Sequence, residues 1–186
     1  MVEAESDHMI CSKGSLVRFT LLLCVLAASR AGAQAPAPRP EDVASMDGIM
    51  KAFYGVISGP AGAPRQWGRD STLYIAGVRF VAMGLRDGRP MASVVDQGKY
   101  IAGVDRYFVQ NGFFEREIHR VTRRFGNIAH VFSTYESRST VDGPVQSRGV
   151  NSVQLFWDGQ RWWIANATWD SERPDNPIPA EFLPKP

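Results

Sequence analysis

The apolar residues of this chain change period at Gly112. Upstream they recur at spacings of three and four, the repeat of a helix with one buried face, and downstream they alternate, as in a strand with one face in a core. Turn dipeptides divide the downstream half into two hairpins: strands 113–125 and 128–138 about Gly126-Asn127, and strands 147–157 and 160–169 about Asp158-Gly159. A looser connection, 139–146, separates them. Long strands joined by short turns make an antiparallel sheet, and its apolar face needs a cover. The helical half supplies one. The expected architecture is therefore α+β, with three N-terminal helices packed on a curved antiparallel sheet.

The covering elements are legible individually. Val43, Met46, Ile49, Met50, Phe53, Val56 and Ile57 give a helix over 41–58, with Glu41 and Asp42 where the helix dipole favours anions, and Ser58-Gly59-Pro60 stops it. A short helix is predicted from Pro64 to Ser71. A small hairpin, 78–85 with 89–94, turns at Asp87-Gly88. Asp96 caps a third helix that ends at Asn111 and Gly112, with Tyr100, Ile101, Val104, Tyr107 and Phe108 as its inner face.

The first fifth of the chain reads as an address. Lys13 and Arg18 precede an apolar run at 19–28, followed by the small-x-small site Ala31-Gly32-Ala33, the three regions of a secretory signal. Residues 1–33 are expected to be removed after Ala33, whether translation starts at Met1 or Met9, leaving an exported protein, periplasmic or secreted. The run is about ten residues where a bilayer span needs roughly twenty, so no stable membrane anchor is expected. Both cysteines, Cys11 and Cys24, fall in this segment, and the mature chain has neither thiol nor disulfide. Residues 34–40 form a Pro/Ala linker, 41–170 one domain, and 171–186 an extended tail whose Ile178, Phe182 and Leu183 dock on the outside. With 21 Lys and Arg against 19 Asp and Glu, the net charge of +2 gives no case for a nucleic-acid partner.

The element order resembles the nuclear transport factor 2-like superfamily, in its polyketide-cyclase-like and ketosteroid-isomerase-like members. The local likeness lies in Met50-Lys51-Ala52-Phe53-Tyr54, Gly112-Phe113-Phe114-Glu115, Gly126-Asn127-Ile128-Ala129 and Asp158-Gly159-Gln160-Arg161-Trp162-Trp163-Ile164. The resemblance implies a cone-shaped fold with a cavity between helices and sheet, in a secreted bacterial protein. It does not fix the chemistry, because this fold hosts isomerases, dehydratases, cyclases and non-catalytic binders.

Candidate site residues follow from pairing across the turns. A two-residue turn at Asp158-Gly159 sets Leu155 opposite Trp162, Val153 opposite Ile164 and Asn151 opposite Asn166, so two amides project inward to bond each other or a ligand. The same construction at Gly126-Asn127 sets His119 opposite Thr134 and Glu117 opposite Glu136. Facing carboxylates raise a pKa unless arginines such as Arg116, Arg120 and Arg138 pair with them. Ile118 and Val121 fall on opposite parities, a sign of a bulge between them that would undo this pairing. Catalytic candidates are Glu117 with His119, and Asp105; Tyr54, Asn151, Asn166 and Glu136 are candidates to touch a ligand. His119 and His130 match no metal-site spacing, and no metal or cofactor is expected. The reading is a module that binds a small apolar molecule without catalysis. The alternative is a cofactor-independent isomerase, dehydratase or cyclase using a carboxylate/His pair. Trp163, Trp169 and Phe156, expected on the outer sheet face, suggest a homodimer through that face.

Overall fold

A computed structural model describes residues 36–185. The leader, its cleavage site and both cysteines lie outside the described residues.

The first expected helix is two. Helix α1 (Pro40–Val43) ends, and Ser45 starts α2 (Met46–Gly55) by accepting a hydrogen bond from the Gly48 amide at 2.9 Å. A serine hydroxyl is a better N-cap than helix-interior residue, so the periodic run breaks where it can be capped. The apolar stripe survives the break, with Val43, Ile49, Met50, Phe53 and Val56 all buried. Helix α3 (Trp67–Asp70) is a single turn. Strands β1 (Tyr74–Arg86) and β2 (Arg89–Val95) pair about Asp87 and Gly88, whose φ values of 53° and 71° are those of a type I′ turn. Helix α4 (Gln97–Asn111) is capped by the Asp96 carboxylate, which accepts from the Lys99 amide at 2.8 Å. Its inward stripe is Tyr100, Val104 and Phe108, whereas Tyr107, expected to face inward, is 55% exposed.

Four long strands follow: β3 (Phe114–Phe125), β4 (Ile128–Arg138), β5 (Ser147–Trp157) and β6 (Trp162–Ser171). The sheet order is β2-β1-β6-β5-β4-β3. It is curled and unclosed, and antiparallel except where β1 joins β6 in parallel. That one parallel pair departs from the all-antiparallel expectation. The chain leaves β1 and β2 through α4 and returns through three more strands before β6 closes beside β1, so their directions agree.

Two bulges decide which side chains face the core. In β3 the ladder from the Gly126-Asn127 turn runs as expected to His119 opposite Thr134; Ile118 is then extra, and Glu117 meets Tyr135 while Arg116 meets Glu136. In β6 the turn is longer than expected. Asp158 accepts from the Gln160 and Arg161 amides, both at 2.8 Å, closing an Asx turn that makes the loop four residues, with Trp157 opposite Trp162. Ala165 is then bulged, which puts Asn166 opposite Gln154 on the outer face and Trp169 opposite Asn151 on the inner one. Both placements reverse the expectation for those two residues.

Arg65, 5% exposed, ties the helical layer together by donating to the carbonyls of Gly59 (2.8 Å), Ala63 (2.7 Å) and Phe108 (2.5 Å) near the end of α4. The tail crosses the outer sheet face. Ile178 is buried there, the Phe182 ring lies 5.1 Å from that of Phe132, and the Thr134 hydroxyl donates to the Phe182 carbonyl. The tail first makes a tight turn, in which Arg173 and Asn176 exchange backbone hydrogen bonds, and is then extended up to one 3-10 turn, Ala180–Phe182. No helix among the described residues is long and apolar enough to cross a membrane.

Candidate functional site

The curl of the sheet leaves a cavity of about 620 Å³ between its inner face, α2 and α4. Its walls are chiefly aromatic. The Phe80 ring stacks on Tyr100 at 4.7 Å, Phe108 stacks on Phe113 at 4.0 Å, and Trp169 meets Tyr100 edge-on at 6.0 Å. Such rings present flat apolar surfaces with few rotatable bonds to be frozen by a ligand. Room for Tyr135 in the wall comes from Gly149, its cross-strand neighbour: a Cβ there would stand 2.5 Å from the Tyr135 hydroxyl oxygen and 2.4 Å from the Asp170 carbonyl.

Polar groups enter this wall at one end, from β3, β4 and β5. Glu115 is the cavity's carboxyl. Enclosure by protein pushes its pKa up to about 8, opposed by a hydrogen bond from Asn151, and no cation pairs with it among the described residues. The Asn151 amide also donates to the Tyr54 hydroxyl at 3.0 Å. Tyr54 lies 2.6 Å from Ser133 Oγ, and the Ser133 hydroxyl donates to Glu117 in a very short bond. Arg120 closes the chain, donating through Nε to both Glu117 oxygens at 2.9 and 3.0 Å and through Nη1 to Asp47 at 2.5 Å. The guanidinium fixes Glu117 as an acceptor, which orients Ser133, Tyr54 and Asn151 in turn. Desolvation raises the Tyr54 pKa strongly, so its phenol stays protonated. The row thus runs from an arginine-paired carboxylate at the edge to an acid without a cation inside.

The inner-face residues Phe53, Tyr100, Val104 and Phe108 do line the aromatic cavity, but of the catalytic and ligand-contact candidates only Asn151 does. Tyr54 is one hydrogen bond further on, and Glu117, reached through Ser133, is three, towards the β3 edge. Glu117 and Glu136 do not face each other, because the Ile118 bulge sets Glu136 opposite Arg116. Glu136 accepts from Arg116 Nε at 2.6 Å and from Arg138 at 2.5 Å, on the outer face. The same bulge parts Glu117 from His119, which shares the outer face with Thr134. Asp105 lies outside the cavity wall and accepts from the Trp67 indole at 2.6 Å. Asn166 faces outward, its Oδ1 buried without a partner. His130, also outward, hydrogen-bonds Ser152 at 2.8 Å. No cluster of three metal-ligating side chains occurs among the described residues.

Sequence reasoning missed Glu115, although it sits in the segment that opens β3. Uninterrupted alternation gives Glu115 the same outward parity as the outer-face residues His119 and Val121; the extra residue at Ile118 turns it inward. The parity conflict between Ile118 and Val121 was the available signal. A second buried acid, Asp70, is fully enclosed behind the opposite wall, accepting from Tyr74 at 2.9 Å and Gln97 at 2.7 Å. Burial pushes its pKa up to about 6.

No family model matches the chain, and no curated protein matches it in sequence. Solved structures do resemble it in fold. An NTF2-like protein of unknown function from Silicibacter pomeroyi shares 12% identity over 69% of this chain and 94% of its own, with a TM-score of 0.47. A ketosteroid isomerase-like protein from Parabacteroides distasonis shares 12% over 69% and 88%, at 0.45. An NTF2-like protein of unknown function from Methylobacillus flagellatus shares 12% over 69% and 95%, at 0.42.

Proposed function

We propose that this chain is an exported single-domain protein that binds a small, flat, apolar molecule in the aromatic cavity. The observation that carries the reading is a 620 Å³ space walled by stacked rings and offering a single carboxyl, Glu115, held near its neutral form. A neutral acid donates a hydrogen bond without bringing charge into an apolar space, so it suits a ligand with a carbonyl or hydroxyl at one end. Beside it, Asn151 supplies a second polar contact. Binding of 1-acetylpyrene, a flat ketone, tests this by fluorescence titration. Micromolar affinity in the parent chain, lost when Val104→Trp fills the cavity, is the expected result. No binding, or binding indifferent to Val104→Trp, refutes the reading.

One observation favours a catalytic use of the same site. A carboxyl with a pKa near 8, bonded by the Asn151 amide that Tyr54 holds in turn, is placed to move a proton at a carbon next to a carbonyl, as an isomerase or dehydratase requires. Glu115 takes the role in this alternative, in place of the Glu117/His119 pair. Solvent deuterium entering the methyl group of bound 1-acetylpyrene in the parent, and not in Glu115→Gln, supports it; equal exchange in both excludes it. As for partners, a second copy on the outer sheet face would use the row Phe125, Ile128, Phe156 and Trp163, which the ladder aligns across four strands, because the tail already covers Phe132.

A further inference from the structure

Beside the free edge of β3 lies a second cavity, of about 470 Å³, bounded by α2 and the ends of β3 and β4. Because β3 is an edge strand, side chains from both faces of the sheet reach it. Lys51, Arg116, Arg120 and Arg138 line it, against the carboxylates of Glu117 and Glu136. The cations are in surplus, and the surplus is not consumed by neighbours. Glu136 is shared between Arg116 and Arg138, and Arg138 Nε is buried without a hydrogen-bond partner. Lys51 is exposed and makes no ion pair with any described residue. Asp47, the further partner of Arg120, stands in solvent with its side chain 91% exposed. Glu115 is the single residue whose surface contributes to both this cavity and the aromatic one, and near neutral pH it adds little negative charge to either.

We propose that the edge cavity is an anion subsite that holds the carboxylate of an elongated ligand whose apolar body occupies the aromatic cavity, the two parts meeting at Glu115. This rests on the binding reading above and names the ligand class, an apolar organic acid. Guanidinium groups bind carboxylates through parallel N–H bonds, and the partly enclosed setting weakens solvent screening. The ligand's charge then meets the unpaired donors of Lys51 and Arg138, while its rings displace water from the aromatic wall.

The test compares 1-pyrenebutyrate with 1-pyrenebutanol, titrated into the protein at pH 7 in low and in high salt. The acid is expected to bind about tenfold more tightly than the alcohol, with the preference shrinking in 0.5 M salt as contacts to partly exposed charges are screened. Lys51→Gln, at an exposed position, and Arg138→Gln, with folding checked by circular dichroism, each reduce the preference and leave alcohol binding unchanged. Equal affinity for the two probes, or a preference indifferent to both substitutions, overturns the anion subsite and leaves the apolar cavity standing. Failure of both probes to bind overturns the cavity reading together with it.

Discussion

Asp70, enclosed behind the cavity wall, and Glu115, in it, meet only hydroxyl and amide partners, whereas Asp42, Glu117 and Glu136, outside that wall, each meet a guanidinium. The two settings drive the same functional group in opposite directions. Desolvation without a cation lifts Asp70 to about 6 and Glu115 to about 8; the Arg69 fork holds Asp42 below its ordinary value, although Asp42 is as buried as most of the core. Burial alone therefore does not set the charge of an acid here; the identity of its partner does. Asp42 is held as an anion by its arginine, and Glu117 and Glu136 are likewise tied to guanidinium groups. Asp70 and Glu115 stay near neutrality, and of the two only Glu115 opens on the cavity.

The sharpest way to break this contrast is to take the cation away from an arginine-paired acid. Arg69 donates through Nε and Nη2 to the two oxygens of Asp42 at 2.7 and 2.6 Å. Arg69→Ala strands a buried carboxylate, and urea denaturation should show a loss of about 3 kcal/mol at pH 7. In the parent, the contribution of Asp42 is present above its unfolded pKa of 3.8 and disappears as pH falls through the lowered folded value; in the variant that acid-side loss should vanish.

The converse case is Asp70, for which the sign reverses. Its folded pKa is raised from 3.8 to about 6, so its neutral form favours the fold, and stability is lost as pH climbs from 3.8 through 6. Asp70→Asn should remove that slope and stabilise the protein at pH 7 by ~2 kcal/mol, less than the ~3 kcal/mol the shift implies, because an amide satisfies the Tyr74 and Gln97 donors less well. Thermal melts at pH 4 and pH 7 measure it. A gain of the same size at both pH values would show that charge is not the cause.

The smallest effect is expected at Glu115. With its pKa near 8, affinity for 1-acetylpyrene should hold steady to pH 7 and fall severalfold by pH 9, as the donor becomes an anion facing a carbonyl. Glu115→Gln, which keeps a donor, should flatten the profile. A parent profile flat from pH 6 to pH 9 would place the ligand's polar end elsewhere.

These contrasts also mark how much could be read from the residues. The change of period at Gly112, the Asp96 cap and the Asp87-Gly88 turn are local signals, and the elements stand where those signals put them. Register near the first long turn was legible too, with His119 facing Thr134; at the second the longer loop sets Leu155 opposite Ile164 rather than Trp162, a shift of two that keeps Trp162 and Ile164 inward. Errors of facing begin past each bulge. One extra residue reverses the facing of everything beyond it, so Asn166 was read as inward and Trp169 as outward, while Glu115 went unnoticed. The split between α1 and α2 was hidden for a related reason, since Ser45 interrupts the backbone without disturbing the apolar stripe. That Arg116, Arg120 and Arg138 could pair with the glutamates of the β3–β4 hairpin was legible, and they do; the Arg69–Asp42 fork joins two helices that no spacing pattern links.

The bulge in β3 has a consequence for capacity. Removing Ile118 would leave every other residue of the strand opposite the partner it has now, Glu117 still on Tyr135 and His119 still on Thr134. The residue adds nothing to the ladder's tally of pairs; what it adds is bend and twist in the strand at the polar end of the cavity. Capacity in this protein is thus adjustable by the number of residues along a strand as well as by the size of the side chains on it. A change of that kind would resize the chamber while every wall residue kept its identity and its neighbour.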